Sequence, residues 1–258
     1  MNRSGLVAAI RHFFKAGGLK SVHSPWLYKI YYSLRHPKAL KDSAIAKLAF
    51  LHGQLSVDKT PLVFNELGSR EGRLESTVSE VFKRTSTSIS EAEMIAELAM
   101  HFNGKTILEM GTAFGTTTLA MHFAAHKSRI ITLEGVPEIA AIAQSHFKKY
   151  EADNVILKIG RFSETLPQVV AEEKDFGLVF IDGHHSRKPT LDYLEMILPV
   201  LSEKAIVVFD DIYYSRDMAE CWQELLQHPA FQVKMDFYRF GLLIKNSDLS
   251  AERFRLKL

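Results

Sequence analysis

An α/β fold with a doubly wound, mostly parallel sheet of seven strands is what this chain of 258 residues predicts, with a C-terminal antiparallel hairpin and an N-terminal helical extension. Three observations carry the prediction. First, the stretch TILEMGTAFGTTTLAMHF (Thr106 to Phe123) reads as an apolar strand, a glycine turn and a helix with Leu119, Ala120 and Phe123 at helical spacing. Second, short apolar runs such as GLVFI (Gly177 to Ile181) alternate with helical segments, as expected of parallel strands covered on both faces. Third, four of these strands close on an acid, at Glu109, Glu134, Asp182 and Asp210-Asp211. An open sheet of this kind gathers such residues on one rim, where ligands bind.

The elements follow in order. Residues 1–53 read as helices punctuated by Gly17-Gly18, Pro25 and Pro37. Within them HSPWLYKIYYSL sets Trp26, Ile30, Tyr31 and Leu34 on one face, a helix to be docked on the main domain. Leu62 to Leu67 is a short strand and Gly68 to Arg73 a polar loop, followed by a polar helix or loop through Thr87. Ser90-Glu91-Ala92-Glu93 matches a capping box, with Ile89 and Met94 as a hydrophobic staple, and opens a helix that buries Ile95, Leu98, Ala99 and Phe102. After the central unit come a strand at Ile130 to Leu133, a helix at Pro137 to Lys149, a strand at Val155 to Ile159 and a helix at Ser163 to Glu172. Leu194, Ile197, Leu198 and Leu201 mark the helix after Asp182, Ala205 to Phe209 is the next strand, and Met218 to Gln227 the last helix. Strands near Phe231 to Tyr238 and Gly241 to Lys245, joined by Arg239-Phe240, form the hairpin. The boundary is placed at 84/85: residues 1–84 as a helical extension with a substrate-side loop, residues 85–258 as the main domain.

Composition is that of an ordinary globular chain, with 47% hydrophobic and 24% charged residues. The net charge of +2 is unevenly spread: residues 1–48 carry +8 and the remainder −6. A solvated helical face accounts for the basic region more simply than an acidic partner does. Cys221 stands alone, so no internal disulfide can form, which suits a reducing compartment. No apolar run reaches the ~18 residues of a membrane span, and the start of the chain lacks a signal-peptide core; the cytoplasm is the expected location.

The spacing Glu109-x-Gly111-x-x-x-Gly115 is not the dinucleotide fingerprint G-x-G-x-x-G, since Ala113 and Thr116 stand where its later glycines would be. Gly111 lets the backbone turn sharply and approach a ligand, and Gly115 opens a helix whose N–H groups face the crevice. Glu134, 25 residues beyond Glu109, is placed to accept both hydroxyls of a ribose. Asp182, Asp210 and Asp211 are hard oxygen ligands suited to Mg²⁺ or Ca²⁺, with helix capping as the plainer alternative.

The acid-x-Gly-x-x-x-Gly turn resembles motif I of the class I S-adenosylmethionine-dependent methyltransferases, which have a Rossmann-like fold. FIDGHH followed by IVVFDD is similar to the metal-dependent O-methyltransferases of the catechol O-methyltransferase type. A closer resemblance, through HSPWLY, LGSR, ILEMGTAFG, IDGHHSRKPTLDYLEMILP, FDDIYYSRDMAECWQEL and the closing MDFYRFGLLIK, is to a group of bacterial class I methyltransferases. That resemblance implies S-adenosylmethionine as cofactor, held by Glu109, Gly111, Thr112, Gly115, Thr116, Glu134, Gly135, Gly160, Arg161, Phe162 and Asp182. Glu109 would hold the methionyl amine through water, and Gly160 to Phe162 would lie against adenine, although Arg161 departs from the Asp that many relatives place there. The similarity to the catechol O-methyltransferase type implies a metal set of Asp182, Asp210 and Asp211, with Asp211 departing from the usual Asn, and a base at His185 where that family has Lys; His184 and Asp182 join it as catalytic candidates. Arg70, Tyr213, Tyr214 and Trp222 are candidates to close over the substrate, against a packing role.

The expected function is S-adenosylmethionine-dependent O-methylation of a small molecule, with Mg²⁺ as a candidate assistant, no nucleic-acid partner, and a homo-oligomer compatible with the sequence. The competing readings are a nicotinamide-dependent oxidoreductase, an RNA methyltransferase anchored by the basic N-terminus, and a non-catalytic binding module.

Overall fold

The structure is a computed structural model that describes residues 16–17, 22, 24–66 and 72–258. Arg3, Arg11, Lys15 and Lys20 of the basic region, and the Gly68 to Arg70 loop, lie outside the described residues.

Two helices, α1 (Pro25–Arg35) and α2 (Asp42–Val57), lead into the hairpin β1 (Pro61–Glu66) and β2 (Gly72–Thr77), then α3 (Val78–Thr85) and α4 (Ile89–His101). The stretch expected to be loop or polar helix therefore contains a strand. Its GRLEST sequence lacks the apolar alternation of a half-buried strand, because β2 pairs only with β1 and stays largely exposed. Both following helices start on a true capping box, Thr77 with Glu80 and Ser88 with Glu91. The second corrects the expected Ser90–Glu93 pairing: both satisfy the pattern, and Ser88 wins because it brings Ile89 into the helix.

The main sheet holds β3 (Thr106–Met110), β4 (Ile130–Glu134), β5 (Val155–Ile159), β6 (Phe176–Ile181), β7 (Leu201–Asp210), β8 (Val233–Asp236), β9 (Phe240–Lys245) and β10 (Glu252–Arg255). Its order is β10-β8-β9-β7-β6-β3-β4-β5, eight strands rather than seven. β9 runs antiparallel to both β7 and β8, as the hairpin reading required. The additional strand, β10, pairs parallel to β8. Three of its four residues are charged, which hid it in the sequence and now blunts an open sheet edge. The connecting helices are α5 (Thr116–Ala124), α6 (Pro137–Lys149), α7 (Phe162–Glu172), α8 (Arg187–Ile197) and α9 (Arg216–Leu225). Leu201, expected on the helix after Asp182, instead begins β7.

The chain leaves β3 toward β4 and β5 on one side and returns to β6 and β7 on the other, so the topological switch point lies at β3. Register then fixes the rim: Met110 pairs with Leu133 and Ile181, and Ile181 with Phe209. The residues that follow these strands accordingly emerge side by side. Apolar layers cover both faces. Leu27, Ile30, Tyr31 and Leu34 of α1 pack with α4 and one sheet face, and Leu48, Leu51 and Leu55 of α2 pack with Phe82, Phe114 and Leu119. Trp26, expected on the same inward face as Ile30, is only partly buried.

Candidate functional site

A cavity of ≈ 370 Å³ opens on the rim at the switch point. Its floor is the β3 turn, Gly111 and Ala113; its sides are Glu134 to Val136 after β4, Arg161 to Ser163 after β5, Asp182 to His185 after β6, and Asp210, Asp211 and Tyr214 after β7. Phe64 of β1, Val81 of α3 and the segment from Arg84 to Thr87 form the remaining wall.

The floor requires glycine. Gly111 has φ +112°, and a Cβ there would sit 2.0 Å from the Asp182 carbonyl oxygen. The Asp182 N–H donates to the Met110 carbonyl at 2.9 Å, so the two strand ends are tied at this point. The Glu134 carboxylate is held by the N–H groups of Ala113 and Val136, each at 2.9 Å, with burial pushing its pKa upward. Each of its oxygens keeps a second lone pair for a ligand hydroxyl.

Strain concentrates here. Ala113, His184, His185 and Asp211 all take positive φ without being glycine, and each lines the cavity. His184 Nδ1 meets the Tyr193 hydroxyl at 3.0 Å, and Tyr193 stands edge-on to Phe162 at 5.9 Å. His185 packs on Tyr214, ring centroids 5.6 Å apart, with Nε2 3.7 Å from Asp182 Oδ1. Burial lowers the His185 pKa, outweighing the opposite pull of Asp211, so the imidazole is neutral and able to take a proton near pH 7. Asp182 lies well above the usual carboxylate range, first from burial and then from repulsion by Asp210, Asp211 and Glu109. Asp210 is pushed up to about 6 by burial and by Asp211.

The three aspartates line one cavity, but a cation of the chain already stands beside two of them. Arg239 Nε lies 3.5 Å from Asp210 Oδ1 and 3.3 Å from Asp211 Oδ1. Among the described residues no three His, Cys, Asp or Glu side chains are grouped to hold a metal ion. As arranged, these residues do not fit one.

Residues 108–212 match a family described as a methyltransferase domain. Over those residues, about two fifths of its length, the chain is similar to that family. A catechol O-methyltransferase from Niastella koreensis is 32% identical over 130 residues, 49% of this chain and 58% of that one. An O-methyltransferase from Aspergillus hancockii is 28% identical over 147 residues, covering 54% and 57%. The chain thus spans less than three fifths of the length of these relatives. Among solved structures, an SAH-bound methyltransferase from Podospora anserina superposes with a TM-score of 0.60 at 18% identity, over 88% of this chain and 97% of that one. This likeness shows the fold.

Not every expected ligand residue reaches the cavity. Thr112 lies beneath it, its hydroxyl 2.6 Å from that of Thr132. Gly115 and Thr116 begin α5 under the Phe147 ring, where a Cβ on Gly115 would come within 2.6 Å of that ring. Gly160, at φ +144°, donates its N–H to the Glu134 carbonyl and serves to place Arg161. Glu109 is fully buried behind the floor, bonded through Oε2 to the hydroxyls of Thr118 and Thr132, while Oε1 has no partner. Of the residues expected to close over a substrate, Tyr214 lines the cavity, whereas Tyr213 donates to Asp236 at 2.7 Å and Trp222 is core under Gly241. Arg70 lies outside the described residues. Arg239, Tyr193, Arg84 and Phe64 were not expected as site residues: Arg84 and Phe64 come from elements distant in sequence from the motifs, whereas Tyr193 and Arg239 lie within matched segments that give them no role.

Burial raises the Glu109 pKa from 4.5 to about 7. The unfolded carboxyl ionises at the lower value, so ionisation withdraws stability as pH rises between the two, by roughly 3 kcal/mol once complete. Glu109→Gln is therefore expected to raise the melting temperature at pH 8 far more than at pH 5. Equal shifts at both pH values would contradict this ionisation scheme.

Proposed function

We propose that the chain transfers the methyl group of S-adenosylmethionine to an oxygen of a small-molecule acceptor. The observation that carries this reading is one cavity that brings together the Gly111 turn, the amide-held Glu134 and the His185 imidazole, 3.7 Å from Asp182. The likeness to O-methyltransferases of two organisms, over about half of this chain in each case, supports it.

Bound there, S-adenosylmethionine supplies an electrophilic methyl group. The Gly111–Ala113 turn would lie against its methionyl part, Glu134 would accept from the ribose, and Arg161 and Phe162 would face the adenine. The unpartnered Glu109 Oε1, buried behind the turn, offers a counter-charge to the cationic end. Phe64, Val81 and Tyr214 exclude water from the acceptor side, where the extension of residues 1–84 supplies one wall and the main domain of residues 85–258 the rest. His185 takes the proton as an acceptor hydroxyl forms its bond to carbon. Alignment of the two reactants in one closed space supplies most of the remaining advantage. No step passes through Mg²⁺. Among the described residues no helix is long and apolar enough to cross a membrane. The placement in the cytoplasm rests on the lone thiol, Cys221, which is buried in the core.

The test is a transfer assay with methyl-labelled S-adenosylmethionine across a panel of phenolic and aliphatic hydroxyl acceptors. Label recovered as a methyl ether is expected. Failure to form S-adenosylhomocysteine with any acceptor of the panel contradicts the proposal.

A further inference from the structure

The turn between β8 and β9 brings a cation to the carboxylates, and it is built to do so. Phe240 pairs with Asp210 in the antiparallel ladder of β7 and β9, so the residue before Phe240 must emerge beside Asp210 and Asp211. That residue is Arg239. Its position is fixed by a chain of bonds: the Tyr238 N–H donates to Asp236 Oδ1 at 2.9 Å and the Arg239 N–H to the Phe237 carbonyl at 2.9 Å. Tyr238 takes φ 69° and stacks on Tyr213 with centroids 5.5 Å apart, while the Tyr213 hydroxyl is bonded to the same Asp236. A strained residue supported by this many contacts marks a side chain held for a purpose.

The Arg239 guanidinium is shared between Asp210, Asp211 and, through Nη1 at 3.3 Å, Glu91 of α4. Its side chain remains 47% exposed on the cavity wall, so it faces the acceptor end as well as the acids. Guanidinium stays charged throughout the working pH range and presents several donors in a rigid plane. It can therefore offset part of the charge of the paired aspartates and still donate to an oxygen of the acceptor.

We propose that Arg239 is the fixed cation of this site, holding the acceptor oxygen and occupying the place beside Asp210 and Asp211 that a divalent metal ion would need, so that methyl transfer by this chain is metal-independent. This rests on the methyl-transfer reading above and names the residue that positions its acceptor. A divalent ion entering between Asp210 and Asp211 would have to displace a guanidinium already 3.5 Å from one and 3.3 Å from the other.

The test titrates Mn²⁺ into the intact protein, followed by water proton relaxation, and in parallel measures S-adenosylhomocysteine affinity and methyl transfer with and without EDTA. The expected results are no saturable Mn²⁺ binding, transfer unchanged by EDTA, and Arg239→Ala raising the acceptor KM by about tenfold or more with S-adenosylhomocysteine affinity retained. Arg239→Lys, which keeps the charge, is expected to recover part of that loss. Saturable Mn²⁺ binding abolished by Asp210→Asn, transfer lost with EDTA and restored by Mg²⁺, or an Arg239→Ala variant that handles acceptor as the parent does would each overturn the assignment. In all of these S-adenosylhomocysteine binding persists, whereas its loss in the parent protein would count against the methyl-transfer reading instead.

Discussion

Replacing His185 with alanine is expected to lower kcat for methyl transfer by roughly 100- to 10,000-fold, the usual contribution of a positioned general base, with S-adenosylhomocysteine affinity unchanged. The imidazole stands at the acceptor end of the cavity, packed on Tyr214 and near Asp182. Burial holds its pKa below the ordinary value of 6.5. Because the neutral ring is the competent form, transfer by the parent protein should be flat above pH 7 and fall on the acid side of that value. The alanine variant should lose this acid limb together with the rate. A variant retaining nearly full kcat and the same pH profile would remove His185 from the chemistry.

The second large effect is expected of Gly111→Ala, which should abolish S-adenosylhomocysteine binding. The new Cβ would fall 2.0 Å from the Asp182 carbonyl oxygen, so the ends of β3 and β6 would have to part. Backbone strain from the positive φ adds about 1–3 kcal/mol, which by itself would only lower the melting temperature. Gly104 separates the two causes: it has φ +101°, and a methyl group added there would meet open space. Gly104→Ala should therefore lose stability and keep full binding. If Gly111→Ala also binds S-adenosylhomocysteine as the parent does, the floor assigned to this cavity is wrong.

Much of this geometry is legible in the chain itself. Strands ending on Glu134, Asp182 and Asp210 announce their own register, because a buried apolar run can close on an acid only where the sheet reaches its rim. Gly111 is legible for the same reason, standing where a strand must turn at the switch point. Sequence reasoning puts Glu109 correctly on β3 but one layer too shallow. An acid one residue before the strand end points behind the floor, where Thr118 and Thr132 hold it. Arg239 could not be read, since its place beside Asp210 depends on a pairing between β7 and β9 some thirty residues apart. β2 and β10 escape for a different reason: neither buries a continuous apolar face, so periodicity carries no signal. Trp222 misleads because an aromatic near the motif looks like a lid, whereas here it fills the space above Gly241.

The central claim is that the rim cavity between Gly111 and Glu134 receives a sulfonium nucleoside. Calorimetric titration of the protein with S-adenosylhomocysteine, set beside NAD under the same conditions, tests it most directly. Saturable one-to-one binding of S-adenosylhomocysteine, weakened by Glu134→Ala and absent for NAD, is the result this account predicts. Binding of NAD with no heat from S-adenosylhomocysteine, or S-adenosylhomocysteine binding untouched by Glu134→Ala, would contradict it.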